Sequence, residues 1–241
     1  GRNTDMSYQK HWKQTDDYLP WLHDKLGRRA DIIDSGLQCN SWVARPWPYS
    51  EELHPTNWVV NESIDFLRRK DPDKPFFLKM SFVRPHSPFD PPQVYYDQYI
   101  NQNIAEPPVG NWVDCDCSDG EGMDIDAKEG YIGERQLERM KAAYYALITH
   151  MDHQIGRFLQ VLNEYNELKN TVILFTSDHG DMMGDHNFYR KALPYKGSID
   201  IPFIIYDPGQ ILDSEKNIII NNPVELRDIM PTVLDLADLK I

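Results

Sequence analysis

Apolar residues between positions 133 and 169 advance in steps of three and four: Leu137, Met140, Tyr144, Leu147, Met151, Ile155, Phe158 and Leu162. That spacing paints one face of a helix and predicts a long amphipathic α-helix from about Gly133 to Lys169. The same period at Val60, Ile64 and Leu67 predicts a helix from about Thr56 to Lys70, ended by Asp71-Pro72. Phe76 to Val83, opened by Pro75 and stopped by Pro85, is apolar nearly throughout and predicts a strand covered on both faces. Val172 to Thr176 and Pro202 to Tyr206 predict two more strands, and a last helix covers about Val224 to Leu239. Helix followed by buried strand is the alternation of an α/β sheet. Residues 1–50 hold Trp12, Trp21, Trp42 and Trp47 without a sustained period and read as irregular surface with short helices. Asn101 to Gly130, rich in Pro, Gly and acid, reads as a long loop.

Composition narrows the function classes. The 241 residues carry 25 Lys+Arg against 38 Asp+Glu, a formal net charge of −13, which argues against nucleic-acid binding. With 41% hydrophobic and 26% charged residues the chain suits a packed globular core. Its longest apolar runs fall far short of the roughly 20 residues of a transmembrane helix, so no membrane is expected as a partner. Three cysteines, Cys39, Cys115 and Cys117, cannot all pair within one chain and do not set a compartment. No charged segment followed by an apolar stretch opens the chain, so either there is no signal peptide or the natural start is absent.

Chemistry concentrates in Ser177-Asp178-His179-Gly180-Asp181-Met182-Met183-Gly184-Asp185-His186. Ligands of α/β sheets bind beyond the carboxyl ends of strands, where Asp178 and His179 stand. A carboxylate beside an imidazole, followed by glycine, suits half of a metal site. It equally suits a loop whose Asp caps a helix and whose His is merely exposed, and the local pattern leaves both readings open.

Five landmarks in order decide more: Phe82-Val83-Arg84-Pro85-His86-Ser87-Pro88-Phe89, then Ser177 to Asp181, then Lys191 after Gly184-Asp185-His186, then Ile201 to Tyr206, then Asp228-Ile229-Met230-Pro231-Thr232. Together they resemble the sulfatase family of the alkaline-phosphatase superfamily over roughly residues 50–241. Asp152 to Arg157 resembles the family's segment before its metal strand. The resemblance implies an α/β fold class, a partial alkaline-phosphatase-like fold with a mostly parallel sheet flanked by helices. It also implies hydrolysis of a small-molecule or glycan sulfate ester by a formylglycine, with a divalent metal, Ca²⁺ first and Mg²⁺ or Mn²⁺ as alternatives. Residue by residue, Asp178 and His179 match metal-ligand positions, and His86 and Lys191 match the pair that touches the sulfate or the leaving oxygen. His86 is the candidate general acid, and Arg84 a further candidate substrate contact. A periplasmic, secreted or lysosome-like address is the family's expectation.

The residue types agree with those roles. Charge-assisted donors to a sulfate oxygen are worth roughly 1.5–3 kcal/mol each, and an imidazole titrates near neutrality. The distant acids are screened within a Debye length of about 8 Å, while groups at contact are not. Taken singly, His86 also fits a turn histidine bonded to backbone, and Lys191 a solvated lysine. Trp42, Arg45 and Trp47 fit sugar stacking, and packing more cheaply. Asp114, Asp116, Asp119, Glu121, Asp124 and Asp126 match no EF-hand, since Asp119 stands where Gly is required and Ile125 where Glu is required.

The departures are large. No Cys or Ser begins the Cys/Ser-x-Pro-x-Arg motif from which the family makes formylglycine, and the single Asp-Asp, Asp16-Asp17, follows no buried strand. The expectation is therefore one incomplete sulfatase catalytic domain, residues 1–241, without the first strand, the nucleophile and a C-terminal subdomain, and inactive alone. Two other readings stand beside it: a phosphonate or phosphodiester hydrolase of the same superfamily, and a non-catalytic module that binds sulfated glycans.

Overall fold

The computed structural model describes residues 16–113, 123–191, 193–212 and 215–239. The first helix, α1 (Tyr18–Leu26), begins where Asp16 Oδ1 accepts the backbone N–H of Tyr18 at 3.0 Å and of Leu19 at 3.3 Å. Asp16 of the Asp-Asp pair thus satisfies two free N–H groups at the helix start, one position before the N-cap Asp17. α2 (Pro55–Arg69) opens on a proline whose missing N–H costs nothing there, and His54 Nδ1 accepts the Thr56 N–H at 3.1 Å. After α3 (Gln93–Tyr96) comes the long helix α4 (Glu134–Glu164). It stops short of Lys169 because Asn166 turns to φ 58°, outside the right-handed helical region. β1 (Ile173–Thr176), α5 (Lys196–Ile199), β2 (Phe203–Tyr206) and α6 (Ile229–Leu236) complete the order.

α2 lies along α4. Val60, Ile64 and Leu67 meet Phe158 and Leu162, all buried, at about 1.5–3 kcal/mol for each such side chain. A second cluster joins Ala44, Phe89, Tyr96, Ile132, Met140, Ala143, Leu147 and Tyr189, and so binds the other end of α4 to the loops that carry the site.

Two expectations need correction. Phe76 to Val83 forms no strand; it is an irregular segment with strict alternation, in which Phe76, Leu78, Met80 and Phe82 pack on the α2–α4 cluster while Phe77 is 72% exposed and Val83 67%. One face is covered, not both. Nor do the described residues form a parallel sheet: β1 and β2 pair antiparallel, Ile173 opposite Tyr206 and Thr176 opposite Phe203. The chain between them stays at the carboxyl end of β1, where Gly180 N–H donates to the Ser198 carbonyl oxygen at 2.7 Å, so β2 runs back instead of crossing over.

Asp114 to Glu121, with Cys115 and Cys117, lies outside the described residues, and Cys39 is exposed and unpaired. Trp47 is buried, Trp42 Nε1 donates to the Asp124 carbonyl oxygen at 3.0 Å and Arg45 Nη1 to that of Ser35 at 3.1 Å, so packing and backbone account for all three. Among the described residues no helix is long and apolar enough to cross a membrane.

Candidate active site

Ser177, Asp178 and His179 follow directly on β1. Ser177 Oγ donates to the His179 carbonyl oxygen at 2.6 Å and tightens the turn. At Gly180 a Cβ would collide with the Gly197 carbonyl oxygen, so this close approach of two backbones requires glycine. Residues 182–190 then double back: Met182 N–H donates to the Arg190 carbonyl oxygen at 2.8 Å and Gly184 N–H to that of Phe188 at 2.9 Å. Asp181 closes the base of this hairpin, its Oδ1 accepting the N–H groups of Met183 and Arg190, each at 3.0 Å. Burial pushes the Asp181 carboxyl up, against the two N–H donors and the nearby imidazoles of His86 and His179.

The hairpin returns Lys191 to the end of β1, where its Nζ donates to His179 Nε2 at 2.7 Å. The imidazole can accept there because its proton sits on Nδ1, 2.7 Å from the Gly180 carbonyl oxygen. Asp178 Oδ1 stands 3.8 Å from the same Nε2, on a carboxylate that is 85% exposed. His86 arrives from the turn between Arg84 and Asp90, and its ring meets that of His179 edge-on, with centroids 5.8 Å apart. Its Nδ1–H donates to the Ser87 carbonyl oxygen at 2.8 Å, which leaves Nε2 for chemistry.

Four of the five residues singled out from sequence therefore converge: His86, Asp178, His179 and Lys191. Arg84 does not. Its side chain is 6% exposed and its guanidinium holds the interior carboxylate of Asp90 through two bonds, at 2.6 and 2.7 Å. Asp185 and His186 sit at the tip of the hairpin, as Gly110 N–H donates to His186 Nδ1 at 3.0 Å. They line a cleft of about 420 Å³ with Tyr195, Lys196, Gly197 and Asp200, and none of the four converging residues lines it. The sequence assigns Asp181 and Asp90 no role; for Asp90 the available signal was an acid set between Phe89 and Pro91-Pro92.

The pair Asp178–His179 is compatible with one shared cation. Donors bound at about 2.0–2.6 Å around a common ion are separated by distances that include the 3.8 Å between Asp178 Oδ1 and His179 Nε2. Among the described residues no group of three His, Cys, Asp or Glu completes a metal site.

Comparison with known proteins follows this geometry. A family profile described as Sulfatase matches residues 6–239. An arylsulfatase of Clostridium perfringens is 58% identical over 240 residues, covering 100% of this chain and 50% of the relative. A choline-sulfatase of Rhizobium meliloti is 25% identical over 244 residues, 98% of this chain and 45% of the relative. The crystal structure of a phosphonate monoester hydrolase of Agrobacterium radiobacter superposes with a TM-score of 0.65 at 28% identity, covering 81% of this chain and 42% of that one. The chain thus spans about half the length of the curated relatives it matches.

Proposed function

The chain belongs to the sulfatase family, and we propose that it supplies the sulfate-contacting residues of a sulfuric ester hydrolase whose formylglycine nucleophile lies outside these 241 residues. The observation that carries this reading is the convergence of Lys191 Nζ on His179 Nε2 at 2.7 Å beside His86 and Asp178, from segments about a hundred positions apart. Lys191 offers an ammonium to a sulfate oxygen without exchanging its proton. His86, held through Nδ1 by the Ser87 carbonyl oxygen, donates a proton from Nε2 to the departing alkoxide. Asp178 and His179 hold one side of a divalent cation, Ca²⁺ first and Mg²⁺ or Mn²⁺ next, with the remaining ligands outside the chain. When bound, that ion supplies positive charge against the sulfate oxygens. The substrate is a small-molecule or glycan sulfate ester, and a periplasmic, secreted or lysosome-like address goes with this reading.

Matched aryl sulfate and aryl phosphonate esters test it on the full-length protein. The sulfate ester is expected to turn over faster, a chelator to abolish turnover and Ca²⁺ to restore it. Preference for the phosphonate would move the assignment to phosphonate ester hydrolysis, the reading favoured by the likeness to the Agrobacterium enzyme. Affinity for sulfated glycans with no turnover would make it a binding module.

A further inference from the structure

Arg84 stays away from the cluster yet closes the turn that carries His86. Its Nε donates to Asp90 Oδ1 at 2.6 Å and its Nη2 to Oδ2 at 2.7 Å, with both side chains buried. Pro85 to Phe89 lie between the two as the span of a clasp. Further ties hold the same turn: Ser87 Oγ donates to the Cys39 carbonyl oxygen at 2.8 Å, and Arg45 N–H to the Phe89 carbonyl oxygen at 3.0 Å. Behind Asp90 stands His54, whose Nδ1 accepts at the start of α2 and whose Nε2 faces Asp90 Oδ1 at 3.9 Å. His54 in turn packs edge-on against His150 of α4, centroids 4.7 Å apart. The clasp therefore fixes the His86 turn relative to both long helices.

A buried ion pair is a weak device for stability, because apolar residues of similar volume often serve as well or better. It is a strong device for geometry, since two parallel charge-assisted bonds set direction as well as distance. We propose that Arg84 and Asp90 are positioning residues whose bidentate pair places His86 Nε2 for proton delivery to the leaving oxygen. The proposal rests on the general-acid reading of His86. An error of about 1 Å in such a placement costs on the order of 100-fold in rate.

Misplacing a general acid and losing folded protein leave different marks. A nitrophenolate departs without a proton, whereas an alkoxide needs one, so misplacement slows only alkyl esters and unfolding slows both classes alike. The test compares nitrophenyl sulfate and an alkyl sulfate in the full-length protein for Arg84→Lys, Asp90→Asn and the doubly apolar Arg84→Met/Asp90→Leu. The last removes both charges and leaves neither unpaired, so it remains informative if the single variants fail to fold. The expected result is a kcat on the alkyl ester lowered by about 10- to 100-fold, kcat on the nitrophenyl ester nearly unchanged, and KM unchanged for both. In a His86→Ala background, Arg84→Lys is expected to add no further loss. Equal losses on the two esters, or full activity in the apolar double variant, would overturn the proposal. If His86→Ala alone shows no preference between the esters, the general-acid reading itself falls, and the clasp proposal with it.

Discussion

Lys191 and His179 each hold the other's polar end, which delivers to the end of β1 the ammonium that the proposed function sets against a sulfate. On the proposed function, Lys191→Met removes one charge-assisted bond of roughly 1.5–3 kcal/mol, and steady-state kinetics of the full-length protein should show kcat/KM on a sulfate ester lowered by about 10- to 150-fold. His150 makes a separate prediction about stability. It is fully buried, its Nε2 lies 2.6 Å from Asn57 Oδ1 and 3.7 Å from Glu51, and its ring stacks on Tyr95. Burial first, then the positive character of His54, His153 and Arg157, pulls it down to about 3, with Asp90 opposing. An unfolded histidine titrates near 6.5. The contribution of His150 to stability is therefore complete above about pH 6.5 and is lost as pH falls toward 3, by about 1.4 kcal/mol per unit, because the unfolded chain binds one more proton. Burial shifts His54 in the same direction. Urea midpoints measured from pH 7.5 to 4.5 should fall, and His150→Gln should flatten the slope.

Among the elements, the two long helices were legible because their apolar residues recur at the helical period along one face each. Leu162 lies at the centre of that contact, 1% exposed; Leu162→Ala should cost about 2–5 kcal/mol in denaturant unfolding. Phe77→Ser, at an exposed position of the irregular segment before the site, should change the stability of these 241 residues by no more than about 0.5 kcal/mol. The second result would confirm an alternation the sequence hid, since Phe77 and Val83 are as apolar as their covered neighbours. The strand direction was hidden for another reason. Nothing in Ser177 to Pro202 announces that Gly180 meets Ser198 and keeps the excursion at one end of β1. That His86, Asp178, His179 and Lys191 would lie together was legible from their types at characteristic spacing. The Arg84–Asp90 pair was hidden because an arginine in isolation does not announce a partner six residues on, and the Asp90 carboxylate lies between Phe89 and two prolines.

For the whole molecule, apolar exposure and charge act in opposite directions. Phe77, Val83, Ile204, Ile205, Tyr206, Ile219 and Ile220 are all exposed, Ile219 at 88%, and runs of neighbouring apolar residues such as Ile204 to Tyr206 invite association. The net charge of −13 resists that association at low salt and loses its reach as salt rises. Prepared as these residues alone, the protein should bind a hydrophobic dye such as ANS and sediment as larger species at 0.5 M salt than at 0.05 M; a monomer at both would count against an exposed face. The hairpin from Met182 to Arg190 has a consequence of its own. It ties the lysine at its foot to the imidazole it came back to meet, and an amine in such a tie is shielded from acylating reagents. Covalent tagging of that one amine, read by mass spectrometry, becomes a gauge of what the imidazole is doing: tagging should climb when a cation takes the ring nitrogen and frees the amine, and drop again when an oxyanion recaptures it.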